Sequence, residues 1–233
     1  MTGADRPSTG NALLAMLSEG DFGRLSPHLT HVVLNKGERL IHPYQAIEYS
    51  WFPTEGIASV VIATTQGHET EVGIIGRDGM IDIATVHALD RSEHQCFIQI
   101  AGAGYRMPAA VLRAEMDASP GLRGALMAYA YEFLVQVSGT ALANASFTIE
   151  QRLARWLLMC HDRIDGDAIP LTHEFLSLML NVRRAGVTIA VQTLERLKLV
   201  ETRRGLISIV DRAGLEELTR DSYAAPEPLA PAA

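Results

Sequence analysis

Side chains that can hydrogen-bond to base edges are concentrated in one short segment of this 233-residue sequence. They are Arg183, Arg184, Thr188 and Gln192. Arginine pairs bidentately with guanine and glutamine with adenine, while threonine contacts a thymine methyl group or a phosphate. Only the first turns of a helix in the major groove reach the base edges, and these residues fall where such contacts would occur. The segment is therefore a candidate for base contacts in duplex DNA.

Two short helices joined by a tight turn are predicted around these residues. Thr172 is a suitable N-cap, and the apolar residues that follow it at helical spacing are Phe175, Leu176, Met179 and Leu180. A turn at Asn181-Val182 leads to a second helix from Arg183 to about Leu197. Its buried face is defined by Val187, Val191 and Leu194. This pattern is typical of a helix-turn-helix, in which Thr172 and His173 would contact backbone phosphate.

A β-hairpin is predicted after the second helix. The sequence LVETRRGLISIV holds two strand-like runs on either side of Arg203-Arg204-Gly205. The arginines at the tip are suited to phosphate contact, as in the wing of a winged helix. Residues 183–204 hold six basic and two acidic side chains, whereas the whole chain has a net charge of −7. An anionic partner is therefore attracted to this segment and repelled by the rest of the protein.

The N-terminal half is predicted to be antiparallel β structure after a short helical entry at residues 12–29. Between His31 and Met107, short runs rich in valine, isoleucine, threonine and aromatic residues are separated by glycine and proline. The predicted strands are residues 31–34, 49–52, 57–65, 70–75 and 97–100. The stretch from Gly102 to Gly104 is one of the predicted breaks. Many short strands at this spacing are typical of an antiparallel sandwich, barrel or roll.

A long apolar helix is predicted to follow the strands. Pro108 opens a short helix that ends near Asp117, and Ser119 caps a second helix that runs to about Ala145. Few charges interrupt this long helix, so it must be covered either by its own domain or by the same helix of a second subunit. The residues that would form such a dimer seam are Leu122, Leu126, Tyr129, Phe133 and Val137. The pattern leaves both interpretations open.

A hinge is predicted at residues 145–147, between the long helix and the candidate DNA-binding segment. Thr148 and Gln151 form a capping-box signature, which predicts the start of a new helix. The predicted organisation is therefore α+β, with three parts. They are a β-rich sensor at 1–118, a dimerisation helix and hinge at 119–146, and a winged helix-turn-helix at 147–233.

No pattern in the sequence indicates an enzyme, a metal site or a membrane protein. P-loop, GxSxG and HExxH motifs are absent, and Glu69 and Glu71 alternate along a predicted strand as solvent-facing residues do. Cys96 and Cys160 are far apart and lack the spacing of an iron–sulfur or zinc site. No apolar stretch approaches the ~20 residues of a membrane span, and the N-terminus lacks the apolar core of a secretory signal. We therefore expect a cytoplasmic protein without a metal or other cofactor.

The order of these elements and several motifs resemble the cyclic-AMP receptor protein and fumarate–nitrate regulator (Crp/Fnr) family across nearly the whole chain. The matching stretches are NKGERLIHPYQ, YSWFPTEGIASVV, TIEQRLARWLL and LTHEFLSLMLNVRRAGVTIAVQTLERLKLVETRRGLISI. The resemblance implies an antiparallel β-roll like that of cyclic-nucleotide-binding domains, and a homodimer paired through the long helix on a palindromic operator. It also implies a small-molecule effector in the roll that modulates DNA binding, and RNA polymerase as a further partner.

The chain departs from the family at the cyclic-nucleotide site. Family members that bind cyclic nucleotides carry Gly-Glu and, further along, Arg followed by Ser or Thr and Ala. Here Asp82 stands near the glutamate position, and Arg91 and Ser92 are followed by the acidic Glu93. A carboxylate at that place would repel a phosphate. Asp82, Arg91 and Ser92 are therefore the effector-binding candidates, but a cyclic nucleotide is not the expected ligand, and the effector is unknown.

Two further expectations rest on single features. His87 and His94 are lone loop histidines, which are usually solvated, so a haem is not expected. The best-known family members place Arg-Glu and a later Arg on the reading face of the second helix, whereas this chain has Arg184, Ala185 and Ile189 there. Its operator should therefore differ. The alternative function is a sensor module that acts through protein partners, although this leaves the basic winged helix without a purpose.

Overall fold

Residues 9–219 and 222–223 are described by the structure, which is a computed structural model of the chain. Their contacts divide them into two units. The first unit contains residues 9–58 and 75–131. The second unit contains residues 59–74 together with the described residues from 132 onward. The hairpin at 59–74 therefore belongs to the same unit as the C-terminal helices.

The strands of the N-terminal half form two sheets. Their bounds are β1 (Thr30–Leu34), β2 (Arg39–Ile41), β3 (Tyr49–Pro53), β4 (Ile57–Ala63), β5 (Glu69–Ile75), β6 (Gln95–Ile100) and β7 (Gly102–Pro108). In one sheet, β7 pairs antiparallel with β1 on one side and with β3 on the other. The other sheet has the order β2-β6-β4-β5. This is the antiparallel β-roll that the sequence and its resemblance predicted.

The predicted break at Gly102 to Gly104 is wrong, because these residues begin strand β7. β7 occupies the centre of its sheet, where Gly104 pairs with both Val32 and Pro53. A Cβ atom on Gly104 would lie 2.6 Å from the carbonyl oxygen of Phe52. The glycine therefore permits a close approach of the neighbouring strand, instead of ending a strand.

Four helices of the first unit pack with the β1-β7-β3 sheet. They are α1 (Ala12–Met16), α2 (Glu19–Leu25), α4 (Ala109–Ala118) and the first part of α5 (Pro120–Ser146), and the short α3 (Ile83–Val86) precedes β6. The Asn11 side-chain oxygen caps α1, and its amide nitrogen donates to the carbonyl oxygens of Pro53 and Gly79 at 2.7 and 2.8 Å. Phe52 and Met107 supply the sheet's contribution to the core that these helices share.

The first part of α5 is a core helix of the first unit. Leu122 and Leu126 are fully buried there, and Tyr129 is nearly so. The Tyr129 hydroxyl donates to the carbonyl oxygen of Met80 at 3.0 Å. The assignment of Leu122, Leu126 and Tyr129 to a dimer seam is therefore wrong, because the chain itself already covers them. For this stripe the other interpretation, an internal core helix, is correct.

The second part of α5 packs on strand β5 within the second unit. The Gln136 side chain accepts a hydrogen bond from the Ile74 N–H at 2.7 Å and donates to the Ile74 carbonyl oxygen at 3.1 Å. Phe133 lies against Gly73, where a Cβ atom would be 3.0 Å from its ring. The predicted dimer contacts of Phe133 and Val137 stay predictions. The large apolar side chains that α5 exposes are Met127, Tyr131, Leu134, Val135 and Leu142.

The C-terminal part of the chain folds as helices and a small sheet. Their bounds are α6 (Ile149–His161), β8 (Ala168–Ile169), α7 (His173–Met179), α8 (Arg184–Arg196), β9 (Val200–Arg203), β10 (Leu206–Ile209) and α9 (Arg212–Thr219). The predicted capping box of Thr148 and Gln151 begins α6. Strands β9 and β10 form an antiparallel hairpin, with β8 on the other edge of β10. This is the predicted winged helix.

Glu71 on β5 is buried, so the prediction that it faces solvent is wrong. The residue is only 4% exposed. The Ser59 hydroxyl donates to one carboxylate oxygen, and Trp156 Nε1 donates to the other at 2.7 Å. Burial raises the pKa of Glu71 to about 8. Within the second unit, the carboxyl group therefore joins the hairpin at 59–74 to helix α6.

Three further properties concern the described residues alone. None of their helices is long and apolar enough to cross a membrane. Both cysteines, Cys96 and Cys160, are buried. No group of three or more histidine, cysteine or acidic side chains in this part of the chain is arranged to hold a metal ion.

Candidate nucleic-acid interface

Helices α7 and α8 form the helix-turn-helix that the sequence predicted. The Thr172 hydroxyl oxygen caps α7 by accepting a hydrogen bond from the Phe175 N–H at 3.3 Å. The turn passes through Asn181, whose φ of 49° lies in the left-handed region that asparagine tolerates. The Ser177 hydroxyl donates to the Val182 carbonyl oxygen at 2.5 Å. The turn is therefore held by a side-chain hydrogen bond from within the motif.

Arg152 on α6 supports the end of α7. Its guanidinium donates to the carbonyl oxygen of Leu180, the C-cap residue of that helix. The C-terminal end of a helix carries partial negative charge, which favours a cation there. Burial lowers the pKa of Arg152. Helix α6 thus fixes the position of the first helix of the motif.

Helix α8 has one buried face and one exposed face. The buried face consists of Val187, Ala190, Val191 and Leu194. Arg183 is the N-cap residue, and its side chain makes no capping hydrogen bond. The side chains exposed at and along α8 are Arg183, Arg184, Ala185, Ile189, Gln192, Arg196 and the C-cap residue Leu197. The structure therefore exposes three of the four predicted base-contact residues, Arg183, Arg184 and Gln192, while Thr188 is half-buried.

Thr188 and His173 contact each other, although the sequence assigned them to separate roles. The Thr188 hydroxyl donates to the Arg184 carbonyl oxygen at 3.0 Å, and its oxygen lies 3.2 Å from Nδ1 of His173. Because the hydroxyl hydrogen is already used, the Thr188 oxygen can accept from His173 in the tautomer that carries its hydrogen on Nδ1. The pair joins the starts of α7 and α8, and it leaves the methyl group of Thr188 as the part free for a base contact.

The wing is a tight hairpin fastened to α8. Leu206 pairs with Arg203, and Gly205 in the turn has a φ of 74°, which favours glycine. The backbone N–H and the hydroxyl of Thr202 both donate to Glu195 Oε1, at 3.2 and 2.5 Å. Arg203 and Arg204 are exposed at the tip. The wing arginines are therefore held at a fixed place beside the second helix of the motif.

The arginines of the motif and wing are free to meet an anion. Within the part of the chain that the structure describes, none of the four forms an ion pair: Arg183, Arg184, Arg203 and Arg204. An unpaired guanidinium gives up no protein partner when it binds phosphate or the edge of guanine. The site is therefore suited to a polyanion that offers both groups.

Asp82, the first effector candidate, has a structural role in its loop. It is the N-cap residue of α3, and its carboxylate accepts hydrogen bonds from the Thr85 N–H at 3.0 Å and the Ser50 hydroxyl at 2.8 Å. Burial raises the pKa of Asp82. Both carboxylate oxygens are therefore used by the protein itself.

The other two effector candidates join neighbouring loops. Exposed Arg91 donates to the carbonyl oxygen of Tyr44 at 3.3 Å. The Ser92 hydroxyl oxygen accepts from the His94 N–H at 3.0 Å, and the Ser92 carbonyl oxygen accepts from the Tyr44 N–H at 2.7 Å. An effector role for Asp82, Arg91 and Ser92 stays a prediction.

The sequence of the C-terminal part matches a known domain. Residues 151–218 match the Crp-like helix-turn-helix domain. This range contains helices α7 and α8 and the wing. A comparison with curated protein sequences finds no match.

Several solved structures share the fold of nearly the whole chain. FixK2 from Bradyrhizobium japonicum is 16% identical, with a TM-score of 0.70 over 84% of this chain and 99% of that one. TTHB099, a transcriptional regulator of the CRP family from Thermus thermophilus, is 15% identical, with a TM-score of 0.67 over 84% and 100%. TTHA1359, a CRP/FNR-family transcriptional regulator from the same organism, is 16% identical, with a TM-score of 0.64 over 83% and 100%.

An antiparallel β-roll, a long helix and a winged helix-turn-helix together define a class of DNA-binding fold. The chain carries a Crp-like helix-turn-helix domain and has the DNA-binding fold of a Crp/Fnr-type transcription regulator. The resemblance predicted from the sequence motifs is confirmed for the helix-turn-helix domain and for the fold of the chain.

Proposed function

We propose that this chain is a sequence-specific transcription regulator that binds a palindromic operator as a homodimer. The observation that carries the proposal is the exposed face of α8, which lies among arginines that have no ion-pair partner in the described residues. The side chains that would contact base edges are Arg183, Arg184, Thr188 and Gln192. Those that would contact phosphate are Thr172, His173, Arg203 and Arg204.

The exposed apolar face of α5 supports the homodimer. Met127, Tyr131, Leu134 and Leu142 recur on this helix at spacings of four, three and eight residues, which keep side chains on one face. Several large apolar side chains exposed on one helix face are typical of a protein interface. A second copy that pairs through the same face would create two-fold symmetry, which a palindromic operator matches.

The β-roll is the part of the proposed regulator that would receive an effector. We assign this role to a small molecule other than a cyclic nucleotide, because the Asp82 carboxylate is already bonded and Glu93 follows Arg91 and Ser92. RNA polymerase is the protein partner that a regulator of this kind would contact at a promoter. Effector binding would change the affinity for DNA through the equilibrium between two arrangements of the dimer.

The proposal is tested by selecting bound sequences from random duplex DNA with the purified protein. We expect enrichment of a palindrome whose half-sites lie about one helical turn apart, or a multiple of it. The affinity for the winning sequence should fall steeply with salt, since phosphate contacts release counterions. The matched control is the double variant Arg203→Ala/Arg204→Ala, which should give the same palindrome with a shallower salt dependence. If a folded dimer enriches no sequence, with or without cyclic AMP, the proposed function is wrong.

A further inference from the structure

The centre of the exposed face of α8 is apolar. Ile189 is 59% exposed, and Ala185 is exposed as well. Successive residues of a helix are about 100° apart, so these two side chains lie about 40° from each other around the axis, with Gln192 within about 60° of both. Val187 and Leu194 are buried on the opposite side. Ala185 and Ile189 therefore occupy the middle of the face that would enter the groove.

The polar groups nearest to this apolar pair are already engaged or lie at its edge. The Thr188 hydroxyl is bonded to the Arg184 carbonyl oxygen and to His173. The Arg184 side chain belongs to the first residue of α8, and Gln192 lies two turns further on. Between them the two exposed residues of the helix, Ala185 and Ile189, carry only aliphatic side chains. Hydrogen bonds alone therefore do not account for how the middle of α8 would distinguish base pairs.

The surrounding charge indicates what covers the apolar pair. Arginines without an ion-pair partner in the described residues lie before it, at 183–184, and in the wing, at 203–204. Duplex DNA complements them with closely spaced phosphates. In the major groove its one apolar base feature is the 5-methyl group of thymine. An isoleucine side chain can pack against this methyl group without displacing a hydrogen bond of the base.

We propose that Ile189, with Ala185 beside it, is a specificity-determining residue that reads thymine by packing against its 5-methyl group. Each half-site of the operator then has a thymine opposite the middle of α8. This inference rests on the proposed function, because it requires α8 to lie in the major groove. It adds a contact of a different kind from the hydrogen bonds expected of Arg184 and Gln192.

Replacing thymine by deoxyuridine tests the contact directly. Deoxyuridine keeps every hydrogen-bonding group of thymine and lacks only the 5-methyl group. In the operator obtained by selection, each thymine of a half-site is replaced in turn, symmetrically in both halves. One position, or two neighbouring ones, should weaken binding by roughly fourfold for each half-site, which is the effect expected from one buried methyl group. The remaining positions should tolerate the replacement.

A variant of the side chain completes the test. Ile189→Ala should bind the thymine operator about as weakly as the parent protein binds the deoxyuridine operator, and it should not distinguish the two DNAs. Leu197→Ala is the matched control, because Leu197 is a similarly exposed aliphatic residue (55%) at the far end of the same helix. This control should keep the full preference for thymine. Circular dichroism of both variants checks that the exposed substitutions leave the helices intact.

The outcomes separate this inference from the function on which it rests. If an operator is selected but every deoxyuridine replacement is tolerated, or if Ile189→Ala keeps the preference for thymine, the inference is wrong and the DNA-binding function stands. If no operator is selected by a folded dimer, the proposed function fails, and the methyl contact fails with it.

Discussion

The carboxyl group of Glu71 lies in the interior of the second unit without an ion pair among the described residues. Ser59 and Trp156 donate hydrogen bonds to it, yet burial outweighs them and raises its pKa from an ordinary 4.5 to about 8. Between these two values the folded protein keeps a proton that the unfolded chain has already released. Folding in that range therefore includes the uptake of a proton by this side chain.

We expect the protein to lose stability as the pH rises from about 4.5 to about 8. The contribution of Glu71 is fully present below the lower value and lost as the pH passes the higher one, because the raised pKa belongs to the folded state. Glu71→Gln should remove this loss, since its amide donates to Ser59 and its carbonyl oxygen accepts from Trp156. Thermal unfolding of both proteins at the two ends of the range measures the effect. A variant that changes Tm equally at both ends contradicts the buried-acid interpretation.

Arg184 is the arginine best placed for a base contact, because it is the first residue of α8 and is exposed. Arg184→Ala should weaken specific binding by about 1–3 kcal/mol and relax the preference for one base in each half-site. The matched control is Arg204→Ala in the wing, which should weaken binding to all sequences alike and lower its salt dependence. Competition between operator variants measures both. If Arg184→Ala discriminates among them as the parent does, its base-reading role is wrong.

One side of the first part of helix α5 is covered by its own unit, while another side of the helix is apolar and exposed. Leu134 lies on this face and is 55% exposed. Leu134→Glu would place two like charges together at a two-fold seam, so we expect it to convert the homodimer to a monomer without loss of helical structure. Val33→Glu, at an apolar position in β1 that is 66% exposed, is the control and should leave the dimer intact. Sedimentation equilibrium measures both, and a Leu134→Glu protein that stays dimeric contradicts this seam.

Signals that are local in the chain predicted the helix-turn-helix well. The predicted second helix runs from Arg183 to about Leu197, and α8 runs from Arg184 to Arg196. A cap, a turn residue and a repeat of apolar positions are all contained in this short stretch, so its fold is visible in the sequence. The capping box at Thr148 was predicted for the same reason.

The wrong predictions concern residues that are buried by parts of the chain distant in sequence. An apolar stripe gives the period of α5, but it does not say whether Leu122 and Leu126 meet their own unit or a second copy. The alternation of Glu69 and Glu71 predicts a strand, but the sequence does not show that Trp156 covers Glu71. A glycine such as Gly104 is compatible with the end of a strand and with the close approach of a neighbouring strand. The position of β3 shows that the second applies here. Each of these outcomes depends on tertiary contacts, which a local sequence pattern does not specify.

The distribution of charge along the chain favours one orientation of the protein on DNA. The net charge is −7, while residues 183–204 hold six basic side chains against two acidic ones. Phosphate therefore attracts this segment and repels most of the remaining surface. A monomer held by one such segment makes few phosphate contacts, and a dimer doubles them. Two linked segments also turn the second binding step into an intramolecular one, which raises the overall affinity without any new type of contact.

The affinity should depend both on the number of half-sites in the DNA and on whether the protein is a dimer. The parent protein should bind the full palindrome more tightly than a single half-site by a factor on the order of 10²–10⁴. Leu134→Glu should bind the two DNAs with similar affinity, because it removes the link between the segments and leaves the base contacts unchanged. Val33→Glu should keep the parent's preference. Fluorescence anisotropy at one fixed salt concentration measures all three proteins on both duplexes. If Leu134→Glu prefers the palindrome as strongly as the parent does, pairing through α5 is not what matches the protein to a two-fold operator.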